Sequence, residues 1–121
     1  TLHLSSAASD VYKRQLIATE EIFGPVLGLI DADDYEQCIK IANDTSYGLS
    51  AGIFTSNLNL AMEFANNINA GIVKINGETA GVEPQVPFGG MKESSSGARE
   101  QGKSAVDFFT QTKTIYVERS A

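Results

Sequence analysis

Three groups of residues in this chain have types and spacing that could do chemistry. Glu20-Glu21-Ile22-Phe23-Gly24-Pro25 sets two adjacent carboxylates before an aromatic ring and a Gly-Pro break. An ionised carboxylate accepts hydrogen bonds from paired hydroxyls, and a phenyl face packs against a flat ring. Taken alone, the stretch reads first as two solvated acids and a ring plugging a core edge, and second as binding groups on a shaped loop. Pro87-Phe88-Gly89-Gly90-Met91-Lys92 places another aromatic beside two glycines, which let the backbone turn closely next to it. With Val86 and Met91, Phe88 gives the stretch apolar anchors, so it reads as ordered against a core or a ligand. Glu100, read by itself, is a surface acid that could pair with Lys92 or Arg99, an interaction worth little. The single thiol, Cys38, falls beside Ile39 and Ala42 on the apolar face of an expected helix. There a free Cys behaves as a small buried hydrophobe rather than as a nucleophile.

The elements that must position these groups follow an alternating pattern. Pro25 ends any helix before it, and residues 26–30 form an apolar run that reads as a buried strand. Asp33 and Glu36 stand at capping-box spacing, and Tyr35, Cys38, Ile39 and Ala42 share one helical face. Residues 49–54 read as a second strand. Ser56 or Asn57 can cap a helix whose face carries Leu58, Ala61, Met62 and Ala65, and residues 72–75 read as a third strand. The order β-α-β-α-β predicts an α/β fold with a partial parallel sheet. Residues 76–96, punctuated by Gly and Pro, predict a long ordered loop of the kind that carries function. Residues 97–109 predict a last helix interrupted at Gly102. Residues 112–117 alternate and predict a strand with no partner nearby in sequence, so it is expected to pair with another sheet or subunit.

Composition narrows the classes. The 121 residues, 42% apolar, suit a single globular unit. A net charge of −6 argues against nucleic acid or an anionic membrane surface as partner. No apolar run is long enough to span a membrane, and no charged start precedes an apolar core as in a secretory leader. One free Cys fits a reducing, cytoplasmic setting. Residues 1–15 have no clean period and resemble translated sequencing-adapter read-through, so they are expected to stand outside the fold. That segment holds His3, the one His in the chain. Residues 16–121 therefore offer no imidazole for a triad or for metal, and no metal site is expected.

The E-E-I-F-G-P and P-F-G-G-x-K motifs stand in this order, with Tyr47-Gly48-Leu49, Gly71-Ile72-Val73 and the tail Lys113-Thr114 alongside them. Together they resemble the C-terminal signature of the NAD(P)-dependent aldehyde dehydrogenase superfamily from residue 16 to the end. Members are several times longer, which implies a C-terminal fragment. Residues 16–110 would be part of the catalytic domain and 111–121 the strand of the oligomerisation region. The details around Thr79-Ala80-Gly81-Val82, Ser94-Ser95 and Arg99-Glu100-Gln101-Gly102 are similar to the 2-oxoglutarate semialdehyde dehydrogenases of sugar-acid breakdown.

The resemblance implies roles that residue types alone do not. Glu21 matches the glutamate that bonds the hydroxyls of the nicotinamide ribose, and Phe23 matches the aromatic packed against the nicotinamide ring. Phe88 matches an aromatic lining the aldehyde pocket. Glu100 matches a glutamate set behind the general base that relays its proton. Arg99 matches an arginine at a subunit interface, yet Gln111 stands where some relatives have its acidic partner, and an amide cannot form that ion pair. The implied reaction has a thiolate attack an aldehyde, hydride pass to NAD or NADP, and activated water release the acid. Its nucleophile would lie upstream of this chain, and its parent would be a homo-oligomer. Two rival readings are a non-catalytic remnant that only folds or associates, and a relative acting on succinate semialdehyde.

Overall fold

The structure, a computed structural model, describes residues 16–120. The expectation for residues 1–15 lies outside the described residues. The chain opens with a single turn, α1 (Leu16–Thr19), closed by a bond from Glu20 N–H to the Leu16 carbonyl at 2.7 Å. It then runs without regular structure to α2 (Tyr35–Asn43). Asp34 caps that helix: its side chain accepts from the Gln37 N–H at 2.8 Å, while Gln37 Oε1 accepts from the Asp33 N–H at 2.5 Å. The reciprocal box therefore sits one residue later than the Asp33–Glu36 spacing suggests, because Asp34 rather than Asp33 takes the extended cap conformation.

After α2 come β1 (Tyr47–Gly48), β2 (Ser50–Ile53), α3 (Leu58–Asn67) and β3 (Ile72–Ile75). Asn57 caps α3 by accepting from Asn59 N–H at 3.0 Å and Leu60 N–H at 3.3 Å. β2 and β3 pair in parallel, Ser50 opposite Ile72 through Ile53 opposite Ile75, as the β-α-β pattern requires. Phe64, Ile68 and Ala70 form the buried cluster, with Tyr35, Ile39, Ala51, Ile53 and Val73 packed against it. Burying a ring such as Phe64 is worth about 2 kcal/mol, so the α2/α3 layer on this pair of strands is the stable nucleus of the chain. Beyond β3, Asn76 takes a left-handed φ of 55°. Its Oδ1 accepts from Thr55 N–H at 2.8 Å and its Nδ2 donates to the Thr55 carbonyl at 2.9 Å.

The long loop holds one element the sequence pattern does not announce. β4 (Met91–Lys92) pairs antiparallel with β1, Gly48 opposite Met91 and Tyr47 opposite Lys92. The last helix, α4 (Ser104–Phe109), is shorter than the expected span over 97–109. It is preceded by Gly102 at a φ of 58°, where a Cβ would meet the Gln85 carbonyl oxygen; only glycine fits that turn.

Two expected strands do not form among the described residues. Residues 26–30 make no ladder, with Leu27 82% and Leu29 85% exposed, and residues 112–117 run without a partner, with Tyr116 88% exposed. Both have the composition of strands. A strand exists only where a neighbouring strand takes up its N–H and C=O groups, and among the described residues neither segment pairs with one. The pattern within this chain is therefore α-β-α-β with β1/β4 beside it, an α/β fold carrying a two-stranded parallel pair.

Candidate functional site

The Gly-Gly turn is built by close backbone approach. Gly71, at the entrance to β3, has no room for a Cβ, which would meet the Gly89 carbonyl oxygen and lie 2.8 Å from Gly90 Cα. A Cβ on Gly90 would stand 2.8 Å from Ser94 Cβ and 3.1 Å from the Gly48 carbonyl oxygen. Both glycines of the turn are buried. Ser94 Oγ accepts from Gly48 N–H at 2.9 Å, and Glu93 N–H donates to the Ser46 carbonyl at 3.0 Å, so the segment after the turn is stitched to β1. Lys92, at a left-handed φ of 51°, donates from Nζ to the Asn43 carbonyl at 2.8 Å and to the Thr45 carbonyl at 2.9 Å.

These stitches bound a cleft of about 580 Å³. Glu20 and Glu21 line it from the turn after α1, Tyr47 and Ser50 from β1 and β2, and Glu93 and Ser94 from the far side of the Gly-Gly turn. Glu20 and Glu21 of the first motif thus line it together with Glu93 and Ser94, which follow the second motif, while Phe88 and the rest of residues 87–92 are not part of its lining. The Glu21 carboxylate is exposed to it and free to accept hydroxyls. Phe23 is 94% exposed and is not part of the cleft lining, so its ring face is open to a planar partner. Phe88 is half-buried, and its carbonyl accepts from the Glu100 N–H at 3.0 Å. That bond brings Phe88 and Glu100 together through the main chain. The Glu100 side chain is exposed, while the two groups that could have paired with it point elsewhere: Lys92 to α2, and Arg99 Nη1 to the Gly97 and Ala98 carbonyls at 3.2 Å each.

Cys38 departs from expectation. It is exposed rather than buried, because Tyr35 and Ile39 supply the face of α2 that meets the core and the thiol falls at the edge of that face. It lines neither the cleft nor the groove between α2 and α3. That groove, about 980 Å³, is lined by Tyr35, Glu63 and Asn67, and it holds the Tyr35 hydroxyl out of water. Burial, and then the nearby Glu63 carboxylate, push the Tyr35 phenol above its ordinary pKa of 10.0. Among the described residues no cluster of three or more His, Cys, Asp or Glu could hold a metal ion, and no helix is long and apolar enough to cross a membrane.

Residue patterns did not foresee the contacts that Lys92, Ser94 and Asn43 make. Lys92 and Ser94 lie inside the motif stretch, and their spacing from β1 is visible only once β4 pairs with it. Asn43 reads as a helix stop. In the fold its Nδ2 donates to the Asn67 carbonyl at 2.9 Å and its Oδ1 accepts from Asn69 N–H at 2.8 Å, which ties the ends of α2 and α3 together.

Known proteins share this arrangement. The profile of the aldehyde dehydrogenase family matches residues 7–115, starting inside the stretch that reads as foreign to the fold. The alpha-ketoglutaric semialdehyde dehydrogenase of Bacillus subtilis is 55% identical over 109 residues, which are 90% of this chain and 22% of that protein. The alpha-ketoglutarate semialdehyde dehydrogenase of Haloferax volcanii is 47% identical over 89% of this chain and 23% of its own length. The crystal structure of a Mycobacterium tuberculosis aldehyde dehydrogenase complexed with NAD+ superposes with a TM-score of 0.79 at 39% identity, over 88% of this chain and 21% of that one. The chain thus spans about a fifth of the length of the relatives it matches.

Proposed function

The chain belongs to the aldehyde dehydrogenase family, and from that premise we propose that it is the C-terminal part of an enzyme oxidising a carboxylate-bearing semialdehyde to the acid with NAD or NADP. The observation that carries the reading is the cleft that Glu21 lines together with Glu93 and Ser94, the residues that follow the Gly-Gly motif. Residues 16–110 complete the catalytic domain, and 111–121 form the oligomerisation strand of a cytoplasmic homo-oligomer. The 2-oxoglutarate semialdehyde class is supported by the names of the two relatives at 55% and 47% identity.

The residues present fit a nicotinamide nucleotide at its reactive end. The exposed Glu21 carboxylate suits the vicinal hydroxyls of a ribose, which it accepts in charge-assisted bonds. The open Phe23 ring offers a flat apolar face to orient a planar heterocycle. When bound, the nucleotide supplies the hydride acceptor. In this reading Phe88 is one apolar wall for the aldehyde and Glu100 a carboxylate behind it that passes on a proton, a pairing supported by the main-chain bond that joins the two residues. Cys38 does not line the cleft, and the nucleophile in this reading comes from the part of the enzyme that precedes this stretch.

The test uses a chimaera in which residues 16–120 replace the equivalent stretch of the 55% identical relative. It is expected to form NAD(P)H from 2-oxoglutarate semialdehyde. Glu21→Gln in the chimaera should keep the fold and lower kcat/KM by roughly tenfold, the cost of replacing a charge-assisted bond with a neutral one. A soluble, folded chimaera that produces no NAD(P)H would overturn the reading.

A further inference from the structure

We infer that Lys92 is a positioning residue that fixes the 88–90 wall relative to the cleft by pinning β4 to the C-terminal end of α2; this rests on the reading of Phe88 as the aldehyde wall. A lysine at a φ of 51° occupies the left-handed region that side chains disfavour. The nearby stitches are Ser94 to Gly48 and Glu93 to Ser46, and neither uses the Lys92 side chain. What that backbone conformation accompanies is a forked contact: Nζ reaches both the Asn43 and the Thr45 carbonyls. Those oxygens lie where the helix dipole of α2 leaves partial negative charge, and an ammonium donor makes the stronger kind of hydrogen bond there.

The pin has cleft residues at both ends. Thr45 lines the cleft, and the Asn43 side chain carries the connection on to Asn69, which lines it too. On the other side, Gly90 is buried against Ser94 and Gly48, so the turn has little freedom to move independently of Lys92. Phe88 precedes that turn directly. Releasing the ammonium therefore frees the wall while leaving the Glu21 side of the cleft in place.

Steady-state kinetics of the chimaera described above test this, with KM measured separately for the semialdehyde and for NAD+, kcat referred to titrated active sites, and a thermal midpoint for each variant. Lys92→Met should raise the aldehyde KM on the order of tenfold and leave the NAD+ KM unchanged. Lys92→Gly, which relieves the backbone but has no ammonium, should behave alike, and decides the matter if Lys92→Met does not fold. Lys92→Arg, which keeps the donors, should recover most of the loss. An unchanged aldehyde KM in the variants, whatever their midpoint, or a raised KM that arginine does not rescue, overturns the pin. No turnover by the unsubstituted chimaera overturns instead the function on which it rests.

Discussion

Gly71→Ala is the substitution whose cost the structure predicts most directly. The new Cβ would run into the Gly89 carbonyl oxygen and lie 2.8 Å from Gly90 Cα. Both obstacles are backbone, so no rotamer change can relieve them, and the Gly-Gly turn or the entrance to β3 must shift. Forcing one extra methyl into a packed site costs about 1–3 kcal/mol. A shift of β3 would also stretch the bonds from Gly71 N–H to the Gly48 carbonyl and from Ile72 N–H to the Leu49 carbonyl, both at 3.0 Å. Losing one of them adds about 1 kcal/mol, for a total of about 2–4 kcal/mol. Gly77→Ala provides the control, because a Cβ there meets nothing within 4 Å. That change should be neutral or stabilise by up to about 1 kcal/mol. Thermal melts of the chimaera carrying each change, followed by fluorescence, give the comparison. Gly71→Ala should lower the midpoint by several degrees and Gly77→Ala should not. Equal midpoints for the two variants would refute the close approach of β3 to the turn.

Further outcomes follow from the same contacts. Because the Tyr35 phenol is raised above 10.0 in the fold, the neutral form is the favoured one. Its contribution to stability is complete below pH 10.0 and is lost as pH rises through the folded-state value. Tyr35→Phe should flatten that alkaline loss in melts taken from neutral to strongly alkaline pH. Ile115 is 74% exposed within the unpartnered tail, and Ile115→Pro removes a ladder donor there. Sedimentation of the chimaera should then shift towards monomer, and an unchanged profile would count against the tail as an inter-subunit strand.

Local signals foretold the nucleus of the fold and left its margins open. The helical face of Tyr35 and Ile39, the Asn57 cap and the apolar run over β3 are all short-range patterns, and each of these elements forms. Residues 26–30 and 112–117 carry strand composition of the same quality. Residues 26–30 make no ladder among the described residues, so there composition alone misjudged the outcome. The exposure of Cys38 has a related cause: periodicity finds a face but not its edge, and the thiol lies at the edge. At the site, Glu21 and the two glycines were legible as a carboxylate on a loop and as a tight turn. The forked lysine and the Ser94 stitch were not. Both depend on β4 lying against β1, a contact between residues far apart in sequence that no window of periodicity can sense.

Asn76 gives the parallel pair an extra rung without an extra residue of strand. Its side-chain amide presents one acceptor and one donor to Thr55, the same complement that a peptide unit would offer across a ladder. The Asn76 N–H already extends the pairing by donating to the Ile53 carbonyl at 2.8 Å. The main chain is thereby released to turn away at a left-handed φ while a surrogate peptide keeps β2 in register behind it. The chain leaves the sheet at the carboxyl ends of two parallel strands, the edge where open α/β sheets leave their crevices. Aspartate, with the same shape but no N–H, could hold only half of that rung. The amide therefore lets the departing loop begin abruptly at the end of the sheet rather than fraying away from it.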